Sequence, residues 1–166
     1  MHLSIIFGII AWILFFLYME NNSELTAITR TKISVPTKIL LQNDLLFGKI
    51  LDFGCGKGFD VHYLKDLGFD IRGYDPYYQP NKPEMKFDTI ICNYVLNVLE
   101  PYKWQTVIDE IKTLLNDGGI AYICVRRDIK NEGYRRHGKG LTYQVNVELD
   151  LEKFVENTKY CIYKLS

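Results

Sequence analysis

Two carboxylates and three glycines in the first half of the chain have the types and spacing of a ligand-binding turn. Asp52 stands two residues before the alternating Gly54, Gly56 and Gly58, and Asp75 follows about 20 residues later. Glycine has no Cβ, so a turn built from it can bend sharply and lie close to a ligand. An acid in the position of Asp75 suits the two hydroxyl groups of a ribose. The pattern therefore predicts a ligand that contains a nucleoside.

The elements around this turn are predicted to be a strand, a helix and a second strand. An apolar run at residues 49–51 precedes the turn, a helix-like stretch at 59–67 follows it, and a strand-like run at 70–74 leads to the second acid. The start of a helix offers free N–H groups, which favour a carboxylate or a phosphate. A dinucleotide site has the pattern G-x-G-x-x-G, whereas this chain has G-x-G-x-G after Asp52. That acid would repel a pyrophosphate and suits a cationic amino acid head.

The pattern D-x-G-x-G-x-G resembles motif I of the class I S-adenosylmethionine-dependent methyltransferases. Phe87–Asn93 is similar to the fourth strand of that family, and residues 95–99 resemble the V-L-x-H-L segment after it, with Asn97 in place of the frequent histidine. Residues 116–123 resemble the turn into the fifth strand, with Asp117 in place of the usual proline. The resemblance covers about 80 residues and implies an α/β fold, a Rossmann-like doubly wound, mostly parallel sheet with an antiparallel C-terminal strand.

The resemblance also implies S-adenosylmethionine as the cofactor and an enzyme that transfers its methyl group. The residues that it implies for cofactor binding are Asp52, Gly54, Gly56, Gly58, Asp75 and Asn93. Asp52 would lie near the amino group of the methionine part, and Asn93 would line that part. Asp75 would accept hydrogen bonds from the ribose hydroxyls.

A narrower resemblance links residues 26–32, 73–77 and 93–98 to small methyltransferase-like proteins of bacteria and their viruses, some of them associated with DNA phosphorothioation. It implies no particular substrate, so the acceptor is expected to be a small molecule or a nucleic acid. Two alternatives stay open. One is a cofactor-binding module without activity, and the other is an NAD(P)-linked oxidoreductase, which binding of NAD(P) in place of S-adenosylmethionine would select.

The segment between Asp75 and Asp88 is too short for the full fold. It contains twelve residues, where a helix, a strand and another helix would normally fit. Residues 76–83 include three prolines and are not expected to form a helix. We therefore predict that the third strand of the family and its flanking helices are reduced or absent. Tyr77 and Tyr78 would then either stack on the adenine or cover the exposed edge of the sheet.

Two helices and a strand pair are predicted from periodicity. Residues 34–46 are expected to form a helix capped near Ser34, and its sheet-facing residues would be Val35, Ile39, Leu40 and Leu46. A second apolar stripe at helical spacing is formed by Trp104, Val107, Ile108, Ile111, Leu114 and Leu115. Strict alternation of apolar and polar residues over 141–150 predicts a strand with one solvent-exposed face, and Tyr160–Leu165 is expected to pair with it.

A basic segment after the predicted fifth strand is the main indication of the acceptor. It contains Arg126, Arg127, Lys130, Arg135, Arg136 and Lys139, against the acids Asp128 and Glu132. The segment should leave the carboxyl edge of the sheet, where ligands bind in this architecture. Arg126, Arg127, Arg135 and Arg136 are therefore candidates to hold phosphate groups of an acceptor. The alternative is a mobile, solvated loop.

Candidates for catalysis are few. Asn97, Tyr94, His137 and Tyr134 are the residues that could bind or deprotonate an acceptor. DNA amino-methyltransferases carry [D/N/S]-P-P-[Y/F] after the fourth strand, and this chain has Asn93 and Tyr94 there without either proline. That mechanism is disfavoured. The chain is also too short to hold a separate target-recognition domain.

Composition fits one domain, residues 25–166, in a chain of 166 residues with 48% hydrophobic residues and zero formal net charge. The run from Leu3 to Met19 is apolar and uncharged, near the lower limit for a membrane-spanning helix. Basic residues follow it, which would place the catalytic domain in the cytoplasm. If the protein starts at Met19 instead, no anchor is expected. Cys55, Cys92, Cys124 and Cys161 are scattered, which predicts reduced thiols and no metal site.

Overall fold

A computed structural model of the protein describes residues 21–138 and 140–166. Three helices are present, namely α1 (Val35–Gln42), α2 (Phe59–Asp66) and α3 (Trp104–Leu114), within the part of the chain that is described. The strands there are β1 (Ile50–Phe53), β2 (Ile71–Tyr74), β3 (Phe87–Asn93), β4 (Leu115–Arg126), β5 (Gly133–His137), β6 (Gly140–Gln144), β7 (Glu152–Glu156) and β8 (Tyr160–Leu165). Short 3-10 turns occupy Ser23–Thr26, Leu96–Val98 and Pro101–Lys103.

Six strands form one sheet in the order β2-β1-β3-β4-β8-β7, in which β1 to β4 run parallel. Strand β8 runs antiparallel to both β4 and β7. This is the predicted Rossmann-like arrangement with an antiparallel strand near the C-terminus. Between β2 and β3 the described chain forms no further strand or helix, only a bridge from Asp75 to Gln79. The predicted reduction of the third-strand region is confirmed, and β2 becomes an edge of the sheet.

The two faces of the sheet are covered by different helices. One face packs against α1 and α2 through Leu40, Ile50, Val61, Leu64 and Ile91. The other face packs against α3 through Leu51, Ile90, Ile108, Ile111 and Leu114, which confirms the predicted apolar stripe. Asp52 is the register partner of Ile91, and side chains two residues apart on a strand share a face. Asp52, Ile91 and Asn93 therefore point to the face that carries α1 and α2.

Helix α1 begins where the sequence predicts and ends earlier. The Ser34 side chain accepts a hydrogen bond from the Thr37 N–H, and Pro36 lies in the first turn, where a proline costs no backbone hydrogen bond. The helix ends at Gln42 rather than at residue 46. Leu40 is buried as predicted, but Val35 is 53% exposed because the buried face of the first turn is formed by Pro36 and Thr37.

The predicted strand over residues 141–150 is wrong in length and in partner. Strand β6 ends at Gln144 and pairs with β5, while β8 pairs with β4 and β7. The alternation continues past the strand because Val145 and Val147 are still buried, and the Val145 N–H donates to the Asn97 carbonyl at 2.9 Å. The basic segment is not a loop throughout, since β5 and β6 form a two-stranded antiparallel ribbon. We refer to this pair as the β5–β6 ribbon.

The possible membrane anchor, Leu3 to Met19, lies outside the described residues. Over residues 21–138 and 140–166, no helix has both the length and the apolar character needed to cross a membrane.

Candidate functional site

The glycine turn between β1 and α2 has a backbone that other residues rarely adopt. Gly54, Gly56 and Gly58 have φ values of 75°, 54° and 77°. A Cβ at Gly54 would lie 2.2 Å from Cγ2 of Val95, so this position excludes any side chain. The N–H of Gly54 donates to the carbonyl of Tyr74 at 2.7 Å, which ties the turn to the end of β2. The turn thus holds its shape through backbone contacts at the carboxyl edge of the sheet.

Asp75 connects this turn to the chain after β2. Its Oδ2 accepts a hydrogen bond from the Gly56 N–H at 3.0 Å. Its Oδ1 accepts from the N–H groups of Tyr77 and Tyr78 at 3.0 and 2.9 Å. The carboxylate is half-buried, and Oδ2, which accepts only one of these hydrogen bonds, keeps a lone pair that can still accept from a hydroxyl group. The Gln79 side chain lies against Gly58, because a Cβ at Gly58 would meet its Nε2 at 2.6 Å.

Asp52 is a buried acid at the end of β1. Its side chain is 4% exposed, and the residues that the structure describes make no hydrogen bond to its carboxyl group. Burial, and next the charge of Asp60, raise the pKa of Asp52 to about 8, while the Arg30 guanidinium partly offsets them. A buried carboxyl group without a partner is unfavourable when ionised. A bound cation would remove that cost.

The Asn93 amide, at the end of β3, forms hydrogen bonds through its nitrogen but, among the described residues, none through its oxygen. Its Nδ2 donates to Thr37 Oγ1 at 2.8 Å and to Ser34 Oγ at 3.3 Å. Its Oδ1 is buried and finds no hydrogen-bond partner among the described residues. Asn93 and Asp52 point to the same face of the sheet. The Asn93 Oδ1 and the ionised form of Asp52 can only accept, which fits an ammonium group, a donor with no acceptor capacity; such a cation would also favour the ionised form of Asp52.

The segment before α1 lies across the carboxyl edge of the sheet, which the sequence did not indicate. The Lys57 ammonium, in the glycine turn, donates to Thr29 Oγ1 at 2.8 Å. The Tyr78 hydroxyl donates to the Glu24 carbonyl at 3.0 Å. The Asn21 amide donates to the Val98 carbonyl at 2.8 Å, on the opposite side of the edge. Residues 21–33 therefore connect the glycine turn with the segment after β3.

The aromatic pair after β2 has one anchored and one exposed ring. The Tyr77 and Tyr78 rings meet edge to face with centroids 4.9 Å apart. Tyr78 is held by its hydroxyl contact, whereas Tyr77 is 66% exposed. Both expectations for this pair, adenine stacking and cover of the β2 edge, are compatible with that geometry.

A family profile described as a methyltransferase domain matches residues 26–162. The chain belongs to this family. No curated protein matches the chain in sequence. The family match, together with the sheet order and the glycine turn, identifies an S-adenosylmethionine-dependent methyltransferase and supports neither of the two alternatives. The narrower link to DNA phosphorothioation stays a prediction.

Solved structures share the fold of this methyltransferase at low sequence identity. The 1,6-didemethyltoxoflavin-N1-methyltransferase of Burkholderia thailandensis, solved with 1,6-didemethyltoxoflavin and S-adenosylhomocysteine, is 16% identical with a TM-score of 0.53, over 89% of this chain and 79% of that one. The glycopeptide N-methyltransferase MtfA is 10% identical with a TM-score of 0.54, over 85% and 94%. A protein from echinomycin biosynthesis, studied for conversion of a disulfide bond into a thioacetal group, is 20% identical with a TM-score of 0.51. That match covers 58% of this chain and half of the length of that protein.

Among the candidates for catalysis, the Asn97 side chain is hydrogen-bonded to the backbone. Its Nδ2 donates to the carbonyls of Arg126 and Val145 at 3.0 and 2.7 Å, and its Oδ1 accepts from the Arg126 N–H at 2.7 Å. The side chain is buried. It holds the end of β4 beside the segment after β6, and no atom of its amide is left for an acceptor. The prediction of Asn97 as a catalytic candidate is not supported by this geometry.

The other catalytic candidates differ in how accessible they are. Tyr94 has a φ of 64°, a strained value for a tyrosine, and burial raises the pKa of its phenol. The Tyr134 hydroxyl donates to the buried Glu100 carboxylate at 2.7 Å, and burial, and next this contact, raise the pKa of Tyr134. His137 is exposed at the end of β5. Neither tyrosine is therefore set up to lose its proton near neutral pH.

The four candidate arginines separate into two pairs. Arg126 forms an ion pair with Asp128 at 2.9 Å, and Arg127 forms one with Glu156. Arg135 and Arg136 lie exposed on β5 of the β5–β6 ribbon. Neighbouring residues of a strand point to opposite faces, so Arg135 and Arg136 place positive charge on both faces of the ribbon, and Arg135 also donates to the Asn131 carbonyl. Arg126 and Arg127 form their contacts with acids of the chain.

Proposed function

We propose that Asp52 and Asn93 bind the amino group of S-adenosylmethionine, that Asp75 binds its ribose, and that Gly54 and Gly56 lie against its methionine part. The observation that carries this proposal is the buried Oδ1 of Asn93, which has no hydrogen-bond partner among residues 21–138 and 140–166, on the same face as the buried Asp52 carboxyl group, to which those residues also donate no hydrogen bond. An ammonium group between them would satisfy both acceptors. Gly58 completes the turn by leaving room for Gln79.

The cofactor supplies a methyl group on a sulfonium, which is already a good leaving group. The main task of the protein is then to hold the acceptor atom in line with that methyl group. Since the pKa values of Tyr94 and Tyr134 are raised and Asn97 is bonded to the backbone, we propose an acceptor that attacks through its own lone pair, such as a neutral amine or an anion. Such an acceptor needs no general base.

We further propose that the acceptor carries an anionic group that approaches the β5–β6 ribbon. Arg135 and Arg136 supply exposed positive charge there, and the ribbon follows β4 at the edge of the sheet where the cofactor turn also lies. The acceptor is a small molecule or a nucleic acid. The ion pairs of Arg126 and Arg127 make these two residues secondary candidates.

Calorimetric titration with S-adenosylmethionine tests the cofactor site. We expect binding by the wild-type protein and a loss of at least about 10-fold in affinity for Asp75→Ala, because a charge-assisted hydrogen bond to the ribose is removed. Asp66→Ala, which removes an exposed acid at the end of α2, is the matched control. Equal affinity of the two variants would remove Asp75 from the site.

Transfer of a labelled methyl group tests the acceptor. The protein is incubated with labelled S-adenosylmethionine and with cell extract separated into small molecules, RNA, DNA and protein. We expect label in the small-molecule or nucleic-acid fraction, and less label with Arg135→Gln and Arg136→Gln combined. The control combines Lys65→Gln and Lys112→Gln, which remove two exposed charges from α2 and α3. Label confined to the protein fraction would contradict the proposed acceptor class.

A further inference from the structure

We infer that Thr37 and Asp60 are positioning residues, which orient the Asn93 amide so that its Oδ1, and not its Nδ2, faces the amino group of the cofactor. The inference rests on the proposed cofactor site and adds to it a function for two residues that act through Asn93, one by contacting it and the other by contacting Thr37. It starts from the Oδ1 of Asn93, which has no partner in the described part of the chain, and from the hydrogen bonds that the Nδ2 of the same amide makes.

A buried network of hydrogen bonds connects α2, α1 and β3. Asp60, in the first turn of α2, accepts from the Ser34 N–H at 2.9 Å and from the Thr37 hydroxyl at 2.8 Å. Thr37 Oγ1 in turn accepts from Asn93 Nδ2 at 2.8 Å and from the Ser34 hydroxyl at 2.9 Å. Ser34, Thr37 and Asp60 are all buried, so water does not compete for these contacts.

The number of available protons determines which atom donates and which accepts in each hydrogen bond of this network. A carboxylate can only accept, and a hydroxyl has one proton to donate. Because the Thr37 proton goes to Asp60, Thr37 Oγ1 can offer Asn93 only lone pairs. Asn93 must then present Nδ2 to Thr37. The flipped amide would place two oxygen atoms 2.8 Å apart with no proton between them.

The fixed orientation has a consequence for the cofactor site. With Nδ2 held by Thr37 and Ser34, the Oδ1 atom is directed away from them and is left as an acceptor that no described residue satisfies. An amide free to rotate would expose its NH2 group for half of the time and repel a cation. The Thr37–Asp60 pair therefore keeps the site selective for a donor.

A purely structural function of this network is the alternative, since it also joins α1, α2 and β3. The two explanations differ in which ligands they affect. S-adenosylhomocysteine has the amino acid head, whereas 5′-methylthioadenosine has the same nucleoside without it. A positioning function predicts a loss for the first ligand alone, and a structural function predicts a loss for both.

The experiment measures the affinity of both ligands for the wild type and for Thr37→Val, Thr37→Ser and Asn93→Ala. We expect Thr37→Val to weaken S-adenosylhomocysteine by roughly 10- to 100-fold, the range for one hydrogen bond to a charged group, and to leave 5′-methylthioadenosine unchanged. Thr37→Ser keeps the hydroxyl and should restore binding. Unchanged binding of 5′-methylthioadenosine also shows that the variant is folded.

A double variant completes the test. If Thr37 acts through Asn93, Thr37→Val combined with Asn93→Ala should bind S-adenosylhomocysteine no more weakly than Asn93→Ala alone. Additive losses, or an equal loss for both ligands in Thr37→Val, would overturn the inference and leave the proposed site intact. A wild-type protein that binds neither ligand would overturn the proposed site itself, and the inference with it.

Discussion

The proposed cofactor side of the molecule, around Asp52 and Asn93, and the proposed acceptor side, around Asn97 and the β5–β6 ribbon, differ in how their polar groups are satisfied. On the cofactor side, Asp52 and the Oδ1 of Asn93 are buried and have no partner among the described residues. On the acceptor side, Asn97 uses both amide atoms on the backbone, and Glu100 Oε1 accepts from Tyr134. Glu100 Oε2 is also buried without a hydrogen bond from the described residues, but it lies 3.0 Å from the Lys103 ammonium in an ion pair. Buried polar groups are normally satisfied within the protein. We therefore propose that a ligand completes the structure at Asp52 and Asn93, whereas partners within the chain support Asn97 and Glu100.

The largest effect is expected from the glycine turn. Gly54→Ala would place a Cβ 2.2 Å from Cγ2 of Val95 at a φ of 75°, so the turn must move and cofactor affinity should fall by more than about 100-fold. Gly118→Ala is a matched control, because Gly118 has a φ of 78° and nothing within 4 Å of the new Cβ. Titration with S-adenosylmethionine measures both. Equal losses in the two variants would show that backbone strain, and not space at the turn, decides binding.

The next effect concerns the pKa of Asp52, which burial raises to about 8 from an ordinary value of 3.8. Between these values the folded, ligand-free protein holds a proton that the unfolded chain has released, so the free energy of unfolding falls as pH rises. Asp52→Asn removes this pH dependence. The stability of the ligand-free variant relative to the wild type should therefore increase from pH 4 to pH 8, by about 1.4 kcal/mol for each unit by which the folded-state pKa of Asp52 exceeds the unfolded-state pKa. The same variant should bind S-adenosylmethionine at least about 10-fold more weakly, because an amide replaces the carboxylate.

Chemical denaturation at several pH values tests this expectation, with Asp66→Asn as the control for an exposed acid. A variant of Asp52 that gains stability and loses affinity would show that this side of the molecule is built for a ligand at the expense of its own stability. A wild-type stability that stays level between pH 4 and pH 8 would contradict the raised pKa.

The fold was predictable to the extent that local patterns determine it. The strand, the glycine turn, α2 and the stripe of α3 all appear where periodicity and glycine spacing indicated them. The partner of residues 141–150 was not predictable, because alternation reports burial of one face and not which strand is alongside. Val145 and Val147 are buried without belonging to a ladder, which gives the same pattern.

The candidate site was predictable only where it carries a motif. Asp52 and Asp75 follow from their spacing to the glycines, whereas Thr37 and Asp60 are 23 residues apart and meet only when α1 and α2 pack side by side. A capping pattern pointed to Ser34 but not to its bond with Asn93, 59 residues away. On the proposed acceptor side, the sequence showed the basic residues but not their ion pairs. Arg126 pairs with the nearby Asp128, whereas Arg127 pairs with the distant Glu156.

A smaller effect, on stability alone, is expected on the acceptor side. Burial of Glu100 opposes its ionisation, but the hydrogen bond from Tyr134 and the nearby Lys103 ammonium hold its pKa below the ordinary value. Tyr134→Phe leaves this carboxylate with one donor fewer and should lower the free energy of unfolding by about 1–3 kcal/mol. Cofactor affinity should not change. Tyr102→Phe, at a 77% exposed tyrosine, is the control, and a loss of cofactor affinity in Tyr134→Phe would contradict the separation of the two sides.

The smallest effect is expected at the exposed ion pair of Arg126 with Asp128. Arg126→Gln should shift the thermal midpoint by less than about 2 °C, since exposed pairs contribute little and are screened by salt. Its methyl transfer to the accepting fraction should also stay close to that of the wild type, whereas transfer by Arg135→Gln should fall. If Arg126→Gln instead loses methyl transfer while the stability of the protein is unchanged, the result would show that the acceptor displaces Asp128 from Arg126 in the wild-type protein. The acceptor side would then also contain a group that is completed by a ligand, and the contrast with the cofactor side would be one of degree.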